Sequence, residues 1–396
     1  MTDHPSRPQS SPTALRLALL IPGGLALLAG LDAALLLLGV GAPITAGRLA
    51  EVHGPLMVYG FVGTLVALER AVALGRAWGF LAPAGLGLGG LALIAVEPSA
   101  IGGGLLVFGS AVLVAVYVPL WQRNTATAVL VQAAGAVLAV GGALLFAAGL
   151  PMPWLIPWLA GYLILTIGGE RLELARVAFA VGNAETGALL ACAAVFLAVP
   201  ATLLWPHAGY RVFGAAVLVF TVWLLRYDIA RRTVRTTGLT RFSAFCLLGG
   251  YGWLLVAGGV WLIAGPVRQG PGYDAAAHAV FLGFVMSMIL AHAPIILPAV
   301  LRRPLPYHPI MYVPAVLLHP TLALRIVVGD GADALWAVQA GGVGNVIAVL
   351  AFVVIAIGSV LWAPRRKVRT ARAATDSDAR ATGSAPSDRP EREATA

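Results

Sequence analysis

Residues 51–74 read Glu-Val-His-Gly-Pro-Leu-Met-Val-Tyr-Gly-Phe-Val-Gly-Thr-Leu-Val-Ala-Leu-Glu-Arg-Ala-Val-Ala-Leu. From Gly54 to Leu68 no residue is charged, and the run is closed by His53 on one side and Glu69–Arg70 on the other. At 1.5 Å per residue the stretch makes a helix about 36 Å long, enough to cross a hydrocarbon core of about 30 Å. It is too long for a strand, which rarely exceeds about 10 residues. The stretch therefore predicts a membrane-spanning helix with a histidine at one end and an acid–base pair near the other.

The rest of the chain repeats this character. Of 396 residues 59% are hydrophobic and 11% charged, against about 45–50% and about 25% in soluble domains. That excludes a water-soluble enzyme, and the mean hydropathy of +0.88 excludes a disordered chain. Apolar windows predict an all-α membrane protein with about twelve spans: 15–40, 51–74, 78–97, 100–121, 127–149, 154–178, 187–205, 209–226, 242–265, 275–300, 309–328 and 336–363. Helices are the expected spanning element, because backbone polar groups must be satisfied inside lipid. Residues 1–14 and 364–396 read as polar tails flanking a transmembrane domain over 15–363. The basic run Arg365, Arg366, Lys367 and Arg369 reads as a stop-transfer flank.

A net charge of +9 would suggest a nucleic-acid partner in a soluble protein. Here the arginines sort by topology. With the N-terminus inside, Arg7, Arg16, Arg70, Arg76, Arg123, Arg171, Arg176, Arg226, Arg231, Arg232, Arg235, Arg241, Arg302 and Arg303 fall on one side with the C-terminal tail. Only Arg48, Arg211, Arg268 and Arg325 fall on the other. The positive-inside rule then places both termini in the cytoplasm, with the inner membrane as location. The expected partner is the lipid bilayer, with no nucleic acid. Cys192 and Cys246 lie in apolar runs and predict neither a disulfide framework nor a zinc site.

Spans 2, 6 and 10 share a pattern. Each carries a polar mark near its inner end: Glu69–Arg70, Glu170–Arg171 with Glu173 and Arg176, and His292. Spans 2 and 10 also share a Gly-Phe-Val step, at 60–62 and 283–285. Three arcs of four helices is the simplest arrangement, with chance similarity between Gly- and Ala-rich strings as the alternative.

Ionisable residues inside a bilayer are costly and usually face a bundle interior. Beyond His4 and His207, the histidines concentrate on three spans: His53, His278, His292, His308 and His319. His53 and His278 open spans 2 and 10 at matched depth, about 24 Å from Glu69 and about 21 Å from His292 respectively. Two imidazoles at one depth on facing helices suit the axial positions of a haem, a b-type haem in the simplest form. Gly54 and Ala275, Ala276, Ala277 and Ala279 would leave room, and Arg48 and Arg268 would meet propionates. The bland alternative is that each histidine anchors a helix end. His292 and His319, with Glu69, form a candidate second metal site, with copper as the ion, or a proton relay; polar packing between helices is the alternative. Glu69–Arg70 and Glu170–Arg171 read as structural charges that snorkel or pair across helices, with a proton-entry route as the alternative. Prolines 294, 298, 304, 306, 309, 314 and 320 crowd spans 10 and 11 and bend helices around either a cofactor or a transport site.

Twelve helices with His-Gly-x-x-Met at 53–57 resemble subunit I of the haem-copper oxidases. That resemblance implies three four-helix arcs, with His53 and His278 as ligands of a low-spin haem. The size and His-rich span 10 also look like the NnrS-type membrane proteins, a haem- and copper-associated group linked to nitric oxide metabolism. Spans 6 and 7 hold no histidine, and span 10 lacks a His-x-His pair at its outer end. The resemblance therefore does not extend to the oxygen-reducing centre. The expected function is a haem-binding membrane protein of electron transfer or nitric oxide handling, an oxidoreductase if an enzyme. A proton-coupled transporter using buried His and Glu is the alternative.

Overall fold

Twelve helices long and apolar enough to cross a membrane are found among the described residues of the computed structural model, which are 12–96, 100–175, 184–301 and 305–362. They are α1 Thr13–Leu37, α2 Gly47–Leu74, α3 Ala77–Ala95, α4 Ala100–Arg123, α5 Thr127–Ala147, α6 Met152–Leu174, α7 Ala184–Leu204, α8 Pro206–Tyr227, α9 Gly238–Ala264, α10 Gly270–Pro298, α11 Pro309–Asp330 and α12 Leu335–Leu361. The expected all-α membrane architecture is therefore present, with no strand among the described residues. His4, Arg7, Arg176, Arg302, Arg303, Pro304 and the basic run at 365–369 lie outside them, as do most of both expected tails.

Several helices start earlier than their apolar runs. α2 begins at Gly47, not 51, and α10 at Gly270, not 275. Arg48, Glu51, Tyr273 and Asp274 are helical yet polar, and a hydropathy window skips such end turns. At α10 the start is set by Gly270, in the left-handed region at φ +71°, followed by Pro271 in the first turn. The expected tail boundary also moves, because residues 12–14 already belong to the first helix.

The surface is inverted relative to a soluble protein. Leu190, Leu197 and Leu204 of α7 are exposed at seven-residue spacing, whereas Thr64, Ser110, Gln132, Thr166 and Ser287 are buried. Lipid can cover the first set at no cost, and the second must find partners inside.

Consecutive helices pack side by side from α1 to α11, and α10 also touches α1, α2 and α6. α2 meets α6 through Tyr59 and Tyr162, whose rings stack with centroids 6.4 Å apart. Glycine permits the closest crossing: a Cβ on Gly60 of α2 would stand 2.8 Å from the Ala26 side chain of α1 and 3.4 Å from Gly90 of α3. α12 is fixed to α11 by Asn345, which donates to Thr321 Oγ1 at 2.7 Å and to the Leu318 carbonyl at 3.2 Å.

Three helices contain π-helical segments: Leu56–Gly63 in α2, Ala279–Val285 in α10 and Leu324–Asp330 in α11. Such segments are rare and tend to mark functional sites.

Candidate functional site

All three π-helical segments adjoin one polar cluster. His53 lies three residues before the segment in α2, His278 immediately before that in α10, and Arg325 inside that in α11. His53 is close enough to His278, Asp274 and Arg325 for their charges to act on it. The sequence pairing of His53 with His278 thus corresponds to one end of the bundle, called here the histidine end.

The hydrogen bonds fix which ring nitrogens are in use. His53 Nδ1–H donates to the Gly30 carbonyl of α1 at 2.8 Å. His278 Nδ1–H donates to the Asp274 carbonyl at 2.9 Å and lies 3.1 Å from Asp274 Oδ1. A carbonyl can only accept, so in both rings the Nδ1 carries hydrogen. Neither Nε2 has a hydrogen-bond partner among the described residues, and both rings are half-buried. Asp274 is itself gripped by Arg325, whose Nε and Nη2 each donate to one carboxylate oxygen at 2.7 Å. Carboxylate behind imidazole is the support that holds a metal-binding histidine in one tautomer and orientation. His53 and His278 are thus the residues that would hold a haem at this end.

The other residues expected around a haem have different surroundings. Arg48 donates to the Val96 carbonyl. Arg268 lies over the Trp154 ring, 3.2 Å from its centroid. Gly54 faces Met152 of α6, and Ala275, Ala276, Ala277 and Ala279 are buried in helix packing. These small residues serve contacts between helices and do not line a gap.

At the opposite end of α2, α6 and α10 lies a second cluster, the glutamate end. Arg171 pairs across helices, as its place near the inner end of span 6 suggests, and not with the adjacent Glu170. It forks onto Asp228, beyond the end of α8, with Nε at 2.7 Å and Nη2 at 2.8 Å from the two oxygens. Asp228 also accepts from the Tyr251 hydroxyl at 2.6 Å and the Ala230 amide at 2.8 Å. Burial alone would raise the Asp228 carboxyl, but these donors, Arg171 foremost, hold it below the ordinary carboxylate range. Arg70 pairs with Glu69 as expected, and reaches Gln132 of α5 at 3.2 Å.

His292 is fully engaged here. Its Nδ1–H donates to the Met288 carbonyl at 2.8 Å, and its Nε2 accepts from Arg171 at 3.3 Å. His292, Glu69 and Glu170 line one cavity of about 270 Å³. His319 does not join them: its Nδ1 accepts from Trp253 at 3.0 Å and its ring lies edge-on to Phe245, both on α9. Among the described residues no three His, Cys, Asp or Glu side chains gather as a metal-binding group. His308 caps the start of α11, its Nδ1 accepting from the Ile310 amide at 3.2 Å.

Sequence reasoning missed three partners. The spacing of Asp274 and His278, four residues apart on one helix, was a usable signal. Arg325 sorts by sequence only as an outer-side charge near the end of span 309–328, yet it is buried within α11, and Asp228 is hidden by the basic stretch that follows it.

Among known families, the model of one described as "Domain of unknown function (DUF8744)" matches residues 16–361. No curated protein matches the chain.

Proposed function

We propose, from the premise that the chain belongs to the DUF8744 family, that it is a multi-pass membrane haem protein with His53 and His278 as axial ligands. One observation carries the reading. Two imidazoles from α2 and α10 lie at one end of the bundle, near enough for their charges to interact, with each Nδ1 committed as a donor and each Nε2 unspent. Asp274 would fix the His278 ring, and Arg325 would balance the carboxylate. The group, when bound, supplies one-electron chemistry. Two protein nitrogens on one iron leave no open position for a substrate, which ranks electron transfer above reaction with a gas such as nitric oxide. Three four-helix arcs, as in haem-copper oxidase subunit I, and termini on the cytoplasmic side of the inner membrane complete the proposal. Pyridine haemochrome analysis of purified protein tests it. One b-type haem per chain is expected, and haem-free protein from haem-replete cells would refute it.

A second reading, a proton-coupled transporter, is favoured by the cavity that Glu69, Glu170 and His292 share. Colourless protein that drives proton-coupled uptake in liposomes would select it.

A further inference from the structure

The cavity at the glutamate end has no part in holding a haem at the histidine end. Its walls come from α1, α2, α6, α10 and α12 and are almost wholly apolar, with Leu27, Phe61, Ile167, Val285 and Phe352 among them. It is elongated: on α2 alone it runs from Phe61 to Glu69, about 12 Å along the helix axis. Glu69 and Glu170 close the lining stretches of α2 and α6, and His292 stands midway along that of α10.

Two of its lining residues are exposed, Gly24 of α1 and Ile357 of α12. They mark a mouth between those helices. Gly24 stands next to the centre of Thr13–Leu37, so the mouth opens at hydrocarbon depth. A Cβ added at Gly24 would meet no atom within 4 Å. A lipid-soluble ligand can therefore reach this cavity from the bilayer.

The chemistry of the polar groups selects the head group. Arg171 is committed to Asp228, and Arg70 to Glu69 and Gln132. Glu170 has no hydrogen bond or ion pair among the described residues, and lies close enough to Glu69 for the two carboxylates to repel. The Thr166 hydroxyl, one turn before Glu170 and lining the same cavity, is buried without a partner, so an unspent donor stands beside an unspent acceptor. A charged head of either sign would have to cross hydrocarbon to reach the mouth. A neutral hydroxyl head avoids that cost and can donate to Glu170 and accept from Thr166.

We infer that the cavity binds a neutral, lipid-soluble molecule with an apolar body and a hydroxyl head, of the hydroquinone or phenol class, which donates to Glu170. The test uses the full chain in lipid nanodiscs with radiolabelled decylhydroquinone, kept reduced by ascorbate. One saturable component per chain is expected above lipid partitioning. Gly24→Leu fills the mouth and should remove that component. Gly104→Leu, at another exposed glycine with open space but outside the cavity, should leave it intact. Glu170→Ala removes the acceptor and should weaken binding about tenfold. Dodecanoate and dodecylammonium should not displace the probe. Absence of a saturable component, its persistence in Gly24→Leu, or displacement by either charged amphiphile would overturn the inference. His53→Ala should bind the probe normally, which separates this result from that of the haem reading.

Discussion

The two ends of α2 and α10 carry the same kinds of side chain and use them oppositely. At the glutamate end, His292 donates through Nδ1 to Met288 and accepts through Nε2 from Arg171, so the ring has nothing left to offer. At the histidine end, His53 and His278 donate through Nδ1 in the same manner and stop there. His319 is a third case, with its accepting nitrogen already bound to Trp253. Burial does not separate these histidines, since all four are half-buried. The accounting of lone pairs does: a ligand must keep one free, and only the pair at the histidine end has it. The two arginine forks differ in parallel. Arg171–Asp228 closes a network between helices, whereas Arg325–Asp274 stands behind an imidazole and orients it.

The sharpest test of this contrast removes one partner of each fork. Arg171 and Asp228 keep only 5% and 1% side-chain exposure, so Arg171→Ala leaves a buried carboxylate uncompensated. It should cost about 3–5 kcal/mol of stability in denaturant or thermal unfolding, with haem content per folded chain unchanged. Asp274→Asn should do the reverse. Its folding cost is smaller, but haem affinity should fall about 10–100-fold, as when support behind a ligating histidine is lost. Equal effects of both variants on haem binding would erase the distinction between the two ends.

His319→Leu should lower stability by about 0.6–1 kcal/mol, the scale of one hydrogen bond between membrane helices, and leave the absorption spectrum untouched. A spectral change there would reassign His319 from packing to ligation. The smallest effect is expected from acid. The Asp228 carboxyl is held below its ordinary value in the folded protein, so its contribution is fully present above about pH 4, the unfolded carboxylate range. It is lost only as pH falls further, through the folded value. A melting temperature that already declines between pH 7 and 5, and does so less in Asp228→Asn, would contradict that assignment.

Much of this architecture is legible in the residues. Twelve apolar runs define twelve helices, and a polar mark at each end of 51–74 places both clusters on α2 before any tertiary contact is known. The matched positions of His53 and His278 bring both to the same end of the bundle. The partners of charged groups are less legible. Arg171 stands beside Glu170 in sequence and yet pairs with Asp228, whereas Arg70 pairs with its own neighbour Glu69, so the partner depends on which carboxylate the packing brings within reach. Arg325 lies inside the expected span 309–328, but its partner is not legible: a half-buried carboxylate on α10 lets it stay inside α11. The π-helical segments leave no sequence mark beyond the Gly-Phe-Val step that two of them share. The cavity beside Glu170 depends on five helices and has no local signature at all.

The most direct measurement is the visible absorption spectrum of the purified protein and of four single variants. The account predicts a Soret band in the wild-type chain, lost or strongly altered in both His53→Ala and His278→Ala, and preserved in His292→Ala and His319→Ala. A wild-type chain without the band, or a band unchanged when either His53 or His278 is removed, would contradict it.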